Sequence, residues 1–208
     1  MARQVVRYQR DDQEFGRAIG FFDATYALAL TLLVTTLNIT DPSSAWEGLG
    51  ALWDEVGPQF LAFGISFAVI ALYWLAHHRL VRTLGAIDQL TMVANLVLIA
   101  SIVVIPFSTS WVGDPGTEGL PLPTAFLAVN IAVASGLHLL VYMLAYRREL
   151  FLARPSAREV QGTLVIGLSP GAIALASVPV AYLASPVIAQ LCWLLIIPTR
   201  VVGRRLGA

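Results

Sequence analysis

Few side chains in this 208-residue sequence carry a group that could do chemistry, and several of those sit inside long apolar runs. Asp23 is the sharpest case. It follows Arg17 and lies among Phe21, Phe22 and Tyr26. A carboxylate there reads either as a structural group favoured by a helix N-terminus or as a participant in ion or proton passage, because ionisable groups are costly inside a membrane span. His77 and His78 precede Arg79 at the end of another apolar run. Adjacent residues point to different sides of a helix, whereas helical metal pairs sit three or four apart. The pair therefore reads as hydrogen-bonded packing, with Trp74 and Arg17 as candidate partners, and not as a metal site. His138 lies mid-way along the fourth long apolar run and reads as an interhelical hydrogen bond.

The stretch after Asp23 mixes leucine with small and hydroxylated residues. Leu28, Leu32, Thr35 and Ile39 fall on one helical face, and Thr31 lies beside it. Two readings stand. The leucines could face lipid or core, with the threonines bonding back to their own helix. Alternatively the face lines a pore, where apolar rings constrict and hydroxyls partly replace an ion's hydration shell. No nucleotide-binding, zinc-protease or serine-hydrolase pattern occurs, so no enzyme is expected. The single cysteine, Cys192, excludes an internal disulfide and a cysteine-rich metal cluster. No cofactor is expected either. Asn38-Ile39-Thr40 matches a glycosylation sequon but abuts the membrane and reads as chance.

The elements that must position these groups follow from composition. The chain is 57% hydrophobic and 12% charged, with a mean hydropathy of +0.74. A soluble domain is about one quarter charged. That difference excludes a nucleic-acid binder, a disordered tail and an ordinary cytosolic enzyme. The first fifteen residues hold no apolar core before Phe15 and do not read as a cleavable secretory signal. Crossing the bilayer takes about 20 mostly apolar helical residues. Six such spans are predicted, over about 19–39, 59–76, 90–111, 125–146, 163–183 and 186–202, forming a single membrane domain over 1–208. Ala184 and Ser185 alone separate the last two. Period-two alternation is absent, so a β-barrel is not supported. Trp46, Leu49, Leu52 and Trp53 suggest a short interfacial helix over 45–55.

Charge placement sets the predicted topology. All 13 basic residues are arginines, and they fall in the N-terminus, the second-to-third loop, the fourth-to-fifth loop and the C-terminus. With six spans these four segments share one side. The opposite loops hold Asp41, Glu47, Asp54, Glu55, Asp114 and Glu118 and no basic residue. The positive-inside rule then predicts a multi-pass protein of the cell membrane with both termini cytoplasmic.

Arg17-Ala-Ile-Gly-Phe21-Phe22-Asp23 and the residues after it resemble the R-x-x-x-F-S-D signature of the transmembrane protein 175 family, lysosomal and prokaryotic potassium channels. Trp74-Leu-Ala-His77-His78-Arg79, Asn95 and Ile105-Pro106-Phe107 agree in order and spacing, so the resemblance covers roughly the first 115 residues. It implies an all-α, six-span subunit forming a homotetramer around a pore lined by the first helix, with potassium as permeant ion. Carried over from the signature aspartate, it implies Leu28 as the narrowest ring, Thr31 as a hydroxyl layer, and Leu32 and Thr35 as the next rings. It also implies that Arg17, Trp74 and His77 support the cytoplasmic end of that helix. Two residues depart from the pattern: Phe22 stands where the signature has serine, and Thr35 where relatives tend to be aliphatic. The expected partners are further copies of the chain and the lipid bilayer, with no nucleic acid. The rival expectations are a proton pathway through the same pore with Asp23 titrating, a secondary transporter hinted at by Pro170-Gly171, and a non-conducting scaffold.

Overall fold

The computed structural model describes residues 6–39, 42–196 and 198–199. A short strand, β1 (Arg7–Gln9), leads into α1 (Gln13–Leu32). Phe15, Phe22, Tyr26, Ala29 and Leu33 recur at helical spacing and form the buried seam of α1. The last turn tightens to a 3₁₀ helix over Leu33–Thr36. There the hydroxyls of Thr35 and Thr36 donate to the carbonyls of Leu32 and Leu33 at 2.7 and 2.8 Å, and the chain becomes extended at Leu37. The helical part thus begins six residues before the predicted span and stops short of Ile39.

One turn, α2 (Pro42–Ala45), precedes the 35-residue α3 (Leu49–Thr83). At 1.5 Å per residue α3 is about 52 Å long, well beyond a hydrocarbon core of about 30 Å. The predicted interfacial helix over 45–55 does not form as a separate element. Its residues from Leu49 onward are the first turns of α3, which runs unbroken through Pro58. The indole of Trp53 lies against Gly57, where a Cβ would approach it to 3.1 Å, and so bridges the turns before Pro58.

Strand β2 (Ala86–Asp88) pairs antiparallel with β1, with Tyr8 opposite Ile87. This ribbon has no counterpart in the predicted elements, because three residues are too few to display an alternating pattern. It leads directly into α4 (Gln89–Val112), whose N-cap is Asp88. Two 27-residue helices follow, α5 (Pro121–Arg147) and α6 (Ala157–Leu183). Ser156 and Glu159 close a capping box at the start of α6. Ala184 and Ser185 then separate α6 from α7 (Pro186–Cys192), which continues as a 3₁₀ turn over Trp193–Leu195.

Among the described residues, five helices are long and apolar enough to cross a membrane, and Pro186–Leu195 is a shorter apolar helix. The predicted sixth span over 186–202 is therefore described only in its first part. Positions 197 and 200–202 lie outside the described residues.

One core runs through the bundle. It is built from Tyr26 and Leu33 on α1, Ile70 and Tyr73 on α3, Leu98, Ile102 and Ile105 on α4, and Ile131 and Ala134 on α5. Helices α5 and α6 come into close contact at Gly171, where a Cβ would lie 2.9 Å from the Ser135 Cβ and 3.0 Å from the Ala132 Cα. Glycine is needed there for the contact to exist.

Candidate functional site

The side chains singled out at the start of α1 fall into an inner group and an outer group. On the inner side, Phe22 is 2% exposed and stands edge-on to the His77 ring at 5.7 Å. Tyr26 lies against the same ring at 5.5 Å. The serine-to-phenylalanine departure thus replaces a polar signature position with an aromatic wedge against His77. His77 Nε2 is 3.0 Å from Asn95 Oδ1. The Asn95 amide nitrogen donates to the Thr91 carbonyl at 3.0 Å, which leaves Oδ1 as an acceptor. The ring is accordingly assigned its proton on Nε2.

This chain of contacts continues toward the arginine end of the bundle. The Thr91 backbone N–H donates to Asp88 Oδ1 at 2.9 Å, and Arg148 forms an ion pair with the other Asp88 oxygen. Burial alone would raise the Asp88 carboxyl. The Thr91 N–H and the Arg148 guanidinium more than offset that and hold it below the ordinary carboxylate range. Sequence reasoning missed Asp88 and Arg148. The signal for Asp88 was present: an aspartate immediately before a long apolar helical run, with Thr91 three residues on, is an N-cap pattern. Arg148 carried no such signal, since it comes from α5's end and meets Asp88 only in three dimensions.

Asp23 is half-buried, and its Oδ1 accepts a hydrogen bond from Trp74 Nε1 at 3.0 Å. The Trp74 ring in turn lies 5.5 Å from His78. Asp23 with Trp74, and His77 with Asn95, are therefore brought together between α1, α3 and α4. Arg17 is not among them. Its side chain is 69% exposed and reaches Glu14 one turn earlier at 3.2 Å. Phe21 is exposed as well. His138 is buried in a different place, with its ring 6.5 Å from that of Tyr73.

The outer group is the opposite face of α1. Leu28 is 56% exposed, and Thr31, Leu32 and Thr35 are exposed with it. Of the five long helices α1 is the least buried. The Thr31 hydroxyl donates to the Leu28 carbonyl at 2.8 Å, and Thr35 donates to Leu32. With each proton committed to its own helix, these oxygens offer only lone pairs outward, which suits a cation and not an anion.

The end of this face is held by a residue that sequence reasoning also passed over. Gln59 is 3% exposed. Its Oε1 accepts from the Asn38 N–H at 2.6 Å, and its Nε2 donates to the Asn38 carbonyl at 2.7 Å. It pairs with the backbone as a neighbouring strand would. Among the described residues, no group of three or more histidine, cysteine or acidic side chains is placed to hold a metal ion.

The family model for the endosomal/lysosomal potassium channel TMEM175 matches residues 17–106, which span α1 to most of α4. A potassium channel of Streptomyces collinus is 28% identical over 158 residues, covering 73% of this chain and 75% of that protein. A potassium channel of a Chryseobacterium species is 30% identical over 131 residues, covering 63% of this chain and 60% of that protein. The endosomal/lysosomal proton channel TMEM175 of Mus musculus is 33% identical over 99 residues, which cover 44% of this chain and only 20% of that longer protein. In fold, the crystal structure of a lysosomal potassium-selective channel TMEM175 homolog from Chamaesiphon minutus superposes with a TM-score of 0.77 at 20% identity. It covers 92% of this chain and 99% of that one.

Proposed function

From the premise that this chain resembles the TMEM175 family in both sequence and fold, we propose that it is a potassium-favouring cation channel. The observation that carries the reading is the two-sidedness of α1: an aromatic seam on α3 and α4, and an exposed face of Leu28, Thr31, Leu32 and Thr35. Four copies would bring that face to a common axis. The Leu28 side chains then form a narrow apolar neck that disfavours water and ions at rest, and a small widening or rotation of α1 admits them. Above the neck the Thr31 oxygens meet a partly dehydrated cation. Potassium passes more readily than sodium because it sheds water at lower cost. Asp23, held by Trp74, keeps the cytoplasmic end of α1 in register, with His77 and Asn95 supporting the packing behind it. The arginine-bearing end faces the cytoplasm in this reading.

The test is flux through the purified full-length protein in liposomes under separate potassium, sodium and proton gradients. Potassium flux exceeding sodium flux, raised in Leu28→Ala, is the expected result. Unchanged flux in Leu28→Ala would remove that residue from the neck. Flux of protons alone, abolished in Asp23→Asn, would replace the potassium reading with the proton pathway that the name of the Mus musculus relative suggests.

A further inference from the structure

A second feature of the bundle lies away from α1. Between the arginine-end halves of α3, α5 and α6 there is a cavity of about 600 Å³, walled on its remaining side by the 151–155 segment. Its origin is the packing of α5 and α6. They pack closely at Gly171, and nearer the start of α6 Gly162, Thr163 and Gly167 line the cavity with little side-chain bulk. At Gly167 a Cβ would meet only Leu139, at 4.0 Å. Protein interiors are ordinarily packed without voids of this size, and cavities of several hundred Å³ are the dimensions of ligand sites.

The cavity is held open by its frame. The Leu152 N–H donates to the Thr83 carbonyl at 2.9 Å, Leu84 bridges to Phe151, and the Phe151 ring stands edge-on to Tyr142 at 5.4 Å. Its two ends differ in chemistry. The deep end is lined by Tyr73, His138, Ile166 and Pro170, about 14 Å along α3 from the mouth by the helical rise. The mouth is lined by Arg79, Arg82 and Arg154. Two carboxylates stand near them. Glu159 also lines the cavity, but its oxygen accepts the Ser156 N–H at 2.7 Å as part of the helix cap, and Glu149 pairs with Arg154 at 3.6 Å. Among the described residues three arginines stand against these two carboxylates, and guanidinium groups match phosphate geometry.

We propose that this cavity binds an anionic phospholipid of the adjoining leaflet, one acyl chain filling the apolar depth and the phosphate meeting the arginines at the mouth. An apolar chamber opening on arginines between membrane helices has the form of a lipid headgroup site. A free phosphate would use the mouth and leave the depth empty. A neutral lipid would fill the depth and bring no net charge to the guanidinium groups at the mouth. Lipid binding at this cavity is independent of conduction along α1 and is measured without flux.

The experiment measures the melting temperature of the detergent-solubilised full chain with dioctanoyl phosphatidylglycerol, dioctanoyl phosphatidylcholine or inorganic phosphate. It also measures by mass spectrometry the phosphatidylglycerol retained on purification. Phosphatidylglycerol should stabilise the protein, and the other two should not at matched concentration. The double variant Arg79→Gln/Arg82→Gln should weaken that response about tenfold or more. Gly167→Leu, which projects a side chain into the cavity, should weaken it further with the ligand-free melting temperature preserved. Thr163→Leu narrows the same space should Gly167→Leu not fold. Equal stabilisation by phosphatidylcholine or by phosphate overturns the proposal, as does full retention of phosphatidylglycerol in a folded cavity-narrowed variant, which would mark it as lipid on the outer surface only.

Discussion

At the scale of single residues, the buried carboxylate of Asp88 is the most consequential group that lies outside the face of α1. It caps α4, it receives Arg148 from the end of α5, and through Thr91 and Asn95 it stands in line with the His77 ring that packs on α1. Because its carboxyl is held below the ordinary carboxylate range, its contribution is complete at neutral pH. It declines as pH falls below about 4 toward the lowered folded value. Asp88→Asn keeps a capping side chain but removes the charge. It is expected to cost about 2 kcal/mol at pH 7, and the gap to the parent protein should close progressively below about pH 4. Thermal unfolding of both proteins across that range checks this. A gap that stays constant from neutral to acid pH would mean that the ion pair contributes nothing. Phe22 shows the limit of reading at this scale: its departure from the signature serine was visible in the sequence, but its placement edge-on to His77 was not, since that contact joins residues on two different helices.

At the scale of elements, apolar length and arginine placement made the long helices legible. The ends were less so. The predicted first span stopped at Ile39, while the helix tightens at Leu33 and releases the chain at Leu37. Threonine hydroxyls bonding back to their own turn, and the Gln59 side chain waiting across on α3, decide that end, and neither appears as periodicity. The fusion of the predicted interfacial segment into α3 has a similar cause, because the Trp53 ring over Gly57 carries the helix up to Pro58. Gln59 is thus a clasp on the C-terminal end of α1. Gly113 lets α4 approach it closely, since a Cβ there would come within 2.9 Å of the Gln59 Cα. Replacing Gln59→Leu preserves bulk but strips both partners from Asn38. A loss of about 1–3 kcal/mol is expected, with faster hydrogen exchange confined to the backbone around Leu37 and Asn38. Gln59→Glu, which keeps the acceptor and loses the donor, should fall between. Exchange unaltered in Gln59→Leu would show that the end of α1 is held by something other than the clasp.

At the scale of the whole molecule, a net charge of zero conceals two unlike ends. The β1–β2 ribbon ties the N-terminal segment to the loop before α4, and arginines converge there. The Arg10 guanidinium donates to the Arg82 and Leu84 carbonyls, Arg7 reaches the Arg148 carbonyl, and Arg148 pairs with Asp88. One end of the bundle is therefore knitted together by its basic residues. The loops that the sequence assigns to the other end carry Asp41, Glu47, Asp54, Glu55, Asp114 and Glu118 without a basic residue. In a bilayer such asymmetry has one favoured orientation, because arginine-rich segments are retained on the cytoplasmic side. An acidic outer surface would also gather cations at the entrance, an effect that salt screens over about 10 Å at 0.1 M ionic strength. The orientation can be read with single cysteines, since Cys192 is the only native one. In a Cys192→Ser background, Glu47→Cys should react with a membrane-impermeant maleimide on intact cells. Arg82→Cys should react only after permeabilisation. The reverse pattern would turn the molecule over, place the arginine ribbon outside, and leave the acidic loops unable to concentrate external cations at the mouth of any pore built on α1.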